Sequence, residues 1–281
     1  MKNSKFNYIE SVAFSDTGLV RTNNEDSFDC LAGDGCFFVS DGMGGGDSGE
    51  IASQFVTESI TDSVSNSKND SPGSRKYAVQ QAIHRANNQI QHYSQLHGFH
   101  QMGATIVLLL FDSWEPGQAL ICHVGDSRVY RMRKNKLEQL TTDHTIGAEL
   151  AAHTAQKIFS SHKSNAVSHI LTRAVGTSAN VIPEWQNVEV LPGDIFLICS
   201  DGVSSMLADD QISVIIDSSS QLTEICSNLS EAIRRAGAND NYTFILCRIL
   251  PDLPEMESHC QEDINENEYL LKIAEERIDH A

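Results

Sequence analysis

The chain is short of positive charge. Its 281 residues contain 20 Lys and Arg against 38 Asp and Glu, which gives a formal net charge of −18. Because sequence-independent affinity for nucleic acid depends on Lys and Arg that neutralise phosphates, this balance argues against DNA and RNA as partners, and it disfavours anionic membrane surfaces. Excess acid keeps a protein soluble, and it can also gather divalent cations. We therefore expect neither a nucleic-acid nor a membrane partner.

Paired cysteines and long apolar runs are also missing. The seven cysteines are odd in number and include no Cys-x-x-Cys pair, which argues against a disulfide framework and against a zinc ribbon. Residues 1–10 have no apolar segment typical of a secretory signal, and no apolar run approaches the roughly 20 residues of a membrane-spanning helix. We expect a reducing, cytoplasmic location.

Apolar patterning predicts an α+β fold with antiparallel sheets. Short apolar runs with tight turns between them fill residues 103–140, and such strands form antiparallel sheet and not β-α-β units. Strands are predicted at residues 6–14, 36–39, 104–111, 118–124, 129–133, 136–140, 184–190, 194–199 and 242–250. Amphipathic helices are predicted at residues 49–64, 75–97, 210–217 and 221–236. The polar, weakly periodic residues 146–169 favour a helical or irregular flap beside the site.

One arrangement recurs along the chain, namely an aspartate beside an apolar strand. Residues 36–46 place Asp41 after a short apolar strand, and the glycines that follow let a ligand approach the backbone. A second apolar strand leads to Asp201, Asp126 occupies a turn between two strands, and Asp240 precedes the last strand. Taken singly, each segment is also what a solvated turn contains.

Together, these four aspartates predict a cation site, since a sheet scaffold can gather them on loops at one edge. Converging carboxylates repel one another unless cations neutralise them, so a site for two ions is the simplest arrangement. Oxygen ligands suit Mg²⁺ or Mn²⁺, and two such ions can activate a water and hold a phosphoryl group. Arg21 is the candidate phosphate-binding cation. Four histidines, in contrast, match no usual ligand spacing: His144, His153, His162 and His169.

A set of short motifs follows a fixed order between residues 7 and 250. They are Asp16-x-Gly18-x-x-Arg21-x-x-Asn24-Glu25-Asp26, Val39-Ser40-Asp41-Gly42-Met43-Gly44-Gly45 with Gly49-Glu50-x-Ala52-Ser53, Gly125-Asp126-Ser127-Arg128, Leu140-Thr141-x-Asp143-His144, Leu171-Thr172-Arg173-Ala174-Val175-Gly176, Cys199-Ser200-Asp201-Gly202 and Asp240-Asn241. Each motif alone is weak, but the ordered set is specific. The set resembles the metal-dependent serine/threonine protein phosphatases of the PPM, or type 2C, family.

The resemblance implies a four-layer α-β-β-α sandwich, in which two antiparallel sheets are flanked by helix pairs and the metals lie at one end. It implies two Mn²⁺ or Mg²⁺ ions bridged by Asp41. The backbone carbonyl of Gly42 would bind the second ion, and Asp201 and Asp240 would hold the first. The activity implied is hydrolysis of phosphoserine and phosphothreonine in proteins by a hydroxide that bridges the two ions, with no phosphoenzyme.

The family pattern also implies roles for the remaining site residues. Asp126, together with Asp201, would serve a weaker third ion. Glu25 and Asp26 would contact or orient metal-bound waters, and Arg21 would bind the substrate phosphate. The expected partner is a phosphoprotein, the substrate of a serine/threonine kinase in signal transduction, and the expected oligomeric state is a monomer.

The chain departs from the family pattern at two positions. Animal-type members carry His where this chain has Met43, so a histidine acid cannot act from that position and metal-bound water is the expected proton donor. Ala104 replaces the more usual Thr, which we expect to be a packing change. Met43 and residues 171–176 favour a bacterial member.

Two other functions and the end of the chain stay open at this point. A catalytically silent phosphopeptide-binding or partner-switching module on the same fold is the main alternative, and the intact ligand set speaks against it. A nucleotide-binding loop at residues 42–46 fails because no Gly-Lys-Ser/Thr follows. We expect a catalytic domain at residues 1–250. Residues 251–281 are expected to be an acidic tail, either a partly helical partner-binding segment or a solvated end.

Overall fold

A computed structural model of the chain describes residues 5–44, 48–67, 70–99, 101–112, 114–153 and 169–254. The strands are β1 (Ile9–Asp16), β2 (Asp26–Leu31), β3 (Cys36–Met43), β4 (Gly103–Ala104), β5 (Ile106–Phe111), β6 (Gln118–Val124), β7 (Arg128–Arg133), β8 (Lys136–Gln139), β9 (Glu184–Glu189), β10 (Ile195–Cys199) and β11 (Tyr242–Ile249). The α-helices are α1 (Ser48–Ser67), α2 (Pro72–His97), α3 (Ile146–His153), α4 (Asp201–Ser204), α5 (Asp209–Ile216) and α6 (Leu222–Ala236). Predicted segments at residues 154–168 and 255–281 lie outside the described residues.

Two antiparallel sheets form the centre of the fold. The first sheet has the order β1-β11-β10-β7-β8 and the second has the order β2-β3-β5-β6-β9, with β4 paired to β3. Helices α1 and α2 pack on the second sheet, while α5 and α6 pack on the first. The predicted four-layer α-β-β-α sandwich is confirmed. No helix among the described residues is long and apolar enough to cross a membrane.

Strict alternation of apolar side chains fixes the register of the central strands. In β5, Ile106 and Leu108 pack in the layer formed with α1 and α2, whereas Val107 and Leu109 pack between the two sheets. Both faces of the strand are therefore buried, which explains why its sequence is a continuous apolar run. A shift of one residue would exchange the two faces. Burial thus also fixes the positions of the polar residues at the strand ends.

The first and last strands of the described fold are neighbours. Strand β1 pairs antiparallel with β11 over eight residue pairs, from Ile9 opposite Ile249 to Asp16 opposite Tyr242. The segment that follows β1 and the segment that precedes β11 consequently lie at the same end of the first sheet. The polar residues of the first 30 positions are in this way brought beside those of positions 237–241.

The prediction of a strand limited to residues 36–39 was too short. Strand β3 continues to Met43, so Asp41 lies inside it and directly opposite Asp26 of β2. The continuation depends on distant partners, because Gly42 donates its N–H to the carbonyl of Glu25 (3.1 Å). Sequence propensity could not indicate this, since Asp and Gly are depleted in strands.

Other boundaries also differ from the predictions. Strand β1 begins at Ile9, not Phe6, because the N–H of Ile9 donates to the carbonyl of Phe6 in a turn. The predicted strand 104–111 is interrupted at Thr105. Helix α2 begins at Pro72, where the hydroxyl of Ser71 accepts the N–H of Ser74 and caps the helix. The short helix α4 was not predicted, and α3 occupies the first part of the predicted flap.

Phe111 should be one of the residues on which sheet-to-sheet packing depends. Its ring is fully buried and lies edge-on to Phe37 (5.9 Å) and to Phe196 (5.9 Å), one from each sheet. We expect Phe111→Ala to lower the free energy of unfolding by about 3–5 kcal/mol, because the cavity lies in the centre of the core. Urea unfolding measures this change. Val214→Ala, at a 71% exposed position, is the control and should change it by less than about 0.5 kcal/mol. A loss no larger than that of the control would contradict the packing argument.

Candidate metal centre

The structure brings the four predicted aspartates to one cleft at the end of the sandwich. Asp41 comes from β3 of the second sheet, and Asp126 lies in the turn between β6 and β7, which connects the sheets. Asp201 opens α4 directly after β10, and Asp240 lies just before β11. The cleft has a volume of about 1100 Å³, and Arg21, Glu25 and Gly42 also line it.

The backbone of Asp41 is fixed by Thr105. The N–H of Asp41 donates to the Thr105 hydroxyl (2.9 Å), and the N–H of Thr105 donates to the carbonyl of Asp41 (2.8 Å). The hydroxyl of Thr105 shares a further hydrogen bond with that of Ser127 (2.8 Å), one residue after Asp126. Thr105 therefore joins the Asp41 strand to the Asp126 turn. No local sequence pattern indicates this role, because the partners of Thr105 are 64 and 22 residues away.

Asn241 performs a similar function for the segment of residues 17–25. Its side-chain oxygen accepts the N–H of Glu25 (2.9 Å), and its amide nitrogen donates to the carbonyls of Thr17 and Asn23 (both 2.9 Å). The residue is only 4% exposed. Asn241 thus holds the segment that carries Arg21 and Glu25 against the start of β11. The sequence motif contained Asn241 but did not indicate what it contacts.

Two site glycines are required by close approaches of the backbone. A Cβ atom at Gly42 would lie 2.0 Å from the carbonyl oxygen of Gly49, and one at Gly202 would lie 1.9 Å from that of Asn241. Both contacts are with backbone, which cannot move aside as a flexible side chain can. Packing against α1 therefore already requires glycine at position 42, and room for a ligand is not needed to explain this residue.

The carboxyl groups in the cleft perturb one another. Burial, followed by the charges of Asp201 and Asp143, raises the pKa of Asp126 to about 7. Burial, together with the charges of Asp26 and Asp201, raises the pKa of Asp41 well above its ordinary value. Burial also raises the pKa of Asp201, and the charge of Asp240 acts in the same direction.

Asp26 lies behind the cleft and does not line it. The hydroxyl of Ser200 donates to one oxygen of Asp26 (2.8 Å), while the other oxygen is buried and has no hydrogen-bond partner. Burial is the main cause that raises the pKa of Asp26 to about 7, and the charges of Asp201 and Asp240 act in the same direction. A buried oxygen without a partner beside Asp41 is a group that a cation or an ordered water would satisfy.

Arg21 lies at the mouth of the cleft. One of its terminal nitrogens donates to a carboxylate oxygen of Asp240 (2.7 Å), and its side chain is 47% exposed. Arg21 therefore lies beside a predicted metal ligand and remains accessible to solvent. Glu25, in contrast, is buried, and desolvation raises its pKa.

The donors in the cleft fit hard divalent cations. The candidate ligands are all oxygens, namely the carboxylates of Asp41, Asp126, Asp201 and Asp240 and the carbonyl of Gly42. Oxygen donors of this kind select Mg²⁺ or Mn²⁺ over zinc or copper. Two cations would also offset the burial and the mutual repulsion that raise the pKa values of these carboxyl groups. A sandwich of two sheets with this cluster and a neighbouring arginine defines the class of metal-dependent phosphatases.

Comparison with known proteins identifies the family. Residues 20–240 match the family model described as protein phosphatase 2C. The chain is 33% identical over 247 residues to the serine/threonine protein phosphatase PstP of Mycobacterium tuberculosis, which covers 86% of this chain and 45% of that protein. It is 28% identical to the protein phosphatase PhpP of Streptococcus pneumoniae, over 85% of this chain and 96% of that one. The chain thus spans about half the length of the mycobacterial relative.

A solved structure agrees with these matches. The catalytic domain of serine threonine protein phosphatase PstP in complex with 2 manganese ions superposes with a TM-score of 0.70 and 29% identity, over 86% of this chain and 98% of that one. This chain belongs to the protein phosphatase 2C family. The family membership expected from the ordered motifs is confirmed.

Removal of the Asn241 side chain should destabilise the site and the fold together. Asn241→Ala deletes three hydrogen bonds and leaves the N–H of Glu25 and two carbonyls without these partners. We expect the free energy of unfolding to fall by about 2–4 kcal/mol, because unsatisfied buried groups are costly. Urea unfolding in EDTA measures the change without a contribution from metal. Asn180→Ala, at an exposed position, should leave the value within about 0.5 kcal/mol. Equal behaviour of the two variants would show that Asn241 does not hold this segment.

Proposed function

We propose that this chain hydrolyses phosphoserine and phosphothreonine in proteins and requires Mn²⁺ or Mg²⁺. The observation that carries the proposal is the convergence of Asp41, Asp126, Asp201 and Asp240 on one cleft, with Arg21 at its mouth. The chain belongs to a family whose named relatives are serine/threonine protein phosphatases. The two manganese ions of the PstP catalytic domain support the same choice of cation.

The chain's own residues divide the work of binding. Asp41 and the carbonyl of Gly42 would hold one ion, and Asp41, Asp201 and Asp240 would hold the other. When bound, such a pair of ions lowers the pKa of water and neutralises charge on the phosphoryl group. Asp126, with Asp201, is placed to hold a third ion. Each of these residues lines the cleft, which is the contact that the assignment needs.

Arg21 is proposed to bind the substrate phosphate. A guanidinium has five N–H donors, and one terminal nitrogen of Arg21 donates to Asp240. The remaining donors can bind two phosphate oxygens in the fork geometry that arginine offers. Glu25 and Asp26 are proposed to orient water at the site. Asp26 would do so from behind the cleft, through its buried oxygen that has no partner.

The broader setting is also part of the proposal. We assign catalysis to residues 1–250 and treat residues 251–281 as an acidic appendage outside the catalytic unit. The expected partner is a phosphoprotein that a serine/threonine kinase has modified, and the expected form is a cytoplasmic monomer. The described cysteines are all free thiols, which supports a reducing compartment: Cys30, Cys36, Cys122, Cys199, Cys226 and Cys247.

Hydrolysis of a phosphothreonine peptide tests the proposal directly. We expect turnover with Mn²⁺ and none with EDTA, because the carboxylates need cations to neutralise them. Asp41→Asn and Asp240→Asn should each lower kcat/KM by more than about 100-fold, since each removes a charged ligand. If the unmodified chain binds the peptide but releases no phosphate with Mn²⁺ or Mg²⁺, the silent phosphopeptide-binding alternative is correct.

A second prediction concerns the phosphate-binding arginine. Arg21→Ala should lower kcat/KM by about 10–100-fold, which corresponds to the loss of one or two charge-assisted hydrogen bonds. The affinity for Mn²⁺, measured by calorimetry, should stay within a few-fold, because Arg21 is not a ligand. Arg235→Ala removes an arginine that is 74% exposed and pairs with Glu231, and it should leave the kinetics unchanged. An Arg21→Ala enzyme as active as the Arg235→Ala control would rule out phosphate binding by Arg21.

A further inference from the structure

A second group of possible metal ligands lies beside the cleft, apart from the carboxylates. His123 of β6 is paired in register with Glu184 of β9, and His144 follows β8. One ligand atom from each residue lies within 4.8 Å of the others. The two histidines are buried and Glu184 is exposed. Two imidazoles and a carboxylate at this spacing have the composition of a zinc site.

The hydrogen bonds of His144 exclude a metal at this group. The N–H of Gly125 donates to Nδ1 of His144 (3.1 Å), so Nδ1 uses its lone pair as an acceptor. A neutral imidazole then carries its proton on Nε2, and that nitrogen faces a carboxylate oxygen of Glu184 at 3.2 Å. Neither nitrogen has a lone pair left for a metal. Burial lowers the pKa of His144, which favours this neutral form.

The orientation of the rings leads to the same conclusion. The rings of His123 and His144 are stacked, with centroids 4.5 Å apart and planes inclined by 18°. Lone pairs lie in the ring planes, so those of two stacked rings run nearly parallel and do not converge on one ion. Nε2 of His123 is within 2.9 Å of the carbonyl of Thr142, which holds His123 in its stacked position. The guanidinium of Arg173, 3.3 Å from Nε2 of His144, further disfavours a cation there.

His144 contacts the turn that carries Asp126. Besides accepting the N–H of Gly125 at Nδ1, His144 donates its own backbone N–H to the carbonyl of Gly125 (2.9 Å). Gly125 is therefore held by two hydrogen bonds to one residue. Gly125 has a positive φ of 110°, and a Cβ there would lie 2.6 Å from the side chain of Thr105. The residue immediately before Asp126 is thus constrained on both sides.

His144 also contacts the segment of residues 170–175, part of which lines the cleft. The carbonyl of His144 accepts the N–H of Thr172 (2.8 Å), and Thr145 forms a bridge with Leu171. Residues Ile170 and Leu171 line the cleft. Val175 is then fixed by two backbone hydrogen bonds to Ala104 (2.8 and 2.9 Å). The segment of residues 170–175 is therefore attached at both ends, and His144 supplies one of the two attachments.

We propose that His144 is a positioning residue that orients the Asp126 turn through its Nδ1 atom and thereby sets the affinity of the cation that Asp126 holds. The proposal rests on the assignment of Asp126 as a cation ligand. Glu184 accepts a hydrogen bond from the Nε2–H group of His144 and thereby fixes the tautomer in which Nδ1 is an acceptor. Partners of this kind, one step removed from the ligand, commonly change metal affinity by about 10–100-fold.

Two amide substitutions at His144 separate its two nitrogens. His144→Asn places an oxygen near the position of Nδ1 and keeps an acceptor for Gly125, whereas His144→Gln places its amide near the position of Nε2 and loses that acceptor. We expect calorimetric titration of the full chain with Mn²⁺ to show a weaker binding event that Asp126→Ala abolishes. His144→Gln should weaken this event by about tenfold, and His144→Asn should leave it within about threefold of the unmodified chain. His92→Leu, at an exposed position of α2, is the control and should change nothing.

The outcomes distinguish this inference from the proposed function. Unfolding temperatures in EDTA show whether the two amide variants are equally folded. If both variants bind Mn²⁺ like the unmodified chain, or if both weaken the Asp126 event equally, the role of Nδ1 is wrong while the proposed function stands. If His144→Gln weakens all Mn²⁺ binding in proportion to a lower unfolding temperature, the residue is merely structural. If the unmodified chain binds no Mn²⁺, the proposed function and this inference both fail.

Discussion

Repulsion among carboxylates is the constraint on which the site depends. Burial raises the pKa values of Asp41 and Asp126, and the neighbouring charge of Asp201 adds to both shifts, so the fold must supply the energy that holds these carboxyl groups together. Hydrogen bonds to the backbone hold the segments that carry these carboxylates, and Arg21 pairs with Asp240 at the mouth of the cleft. Thr105 fixes the backbone of Asp41. The glycines at positions 42 and 202 let neighbouring backbone segments come so close that no other residue would fit. The carboxylates are therefore already in place when a cation binds.

The spacing of the carboxylates depends on the whole sandwich. The carboxylates arise from both sheets, so their spacing depends on how the sheets are stacked. That stacking is set by a central layer in which Phe37, Phe111 and Phe196 meet edge to face. Because each central strand is buried on both faces, its register cannot slip without exposing apolar side chains. Stability and site geometry are therefore properties of the same core.

The sequence predicted the architecture better than the contacts that support it, and the structure brings the candidate ligands to one cleft. An aspartate beside an apolar strand is a local pattern, and the ordered motifs identified the family. The motifs contain Asn241 and His144 but do not indicate their contacts. Asn241 contacts Asn23, which is 218 positions away, and His144 contacts Gly125, which is 19 positions away. The sequence predicts that Asp26 orients metal-bound water, and only the structure shows that it lies opposite Asp41 and outside the lining of the cleft. Long-range hydrogen bonds leave no periodic signal in a sequence.

The pairing of β1 with β11 also determines when the site can form. The contacts from the Arg21 segment to Asp240 and Asn241 join residues that are more than 200 positions apart. On the ribosome, these contacts can form only after β11 has emerged. Long sequence separation of this kind slows folding, since loop closure precedes the contacts that reward it. A nascent chain is thus unable to assemble the complete set of candidate ligands until Asp240 and β11 have been synthesised.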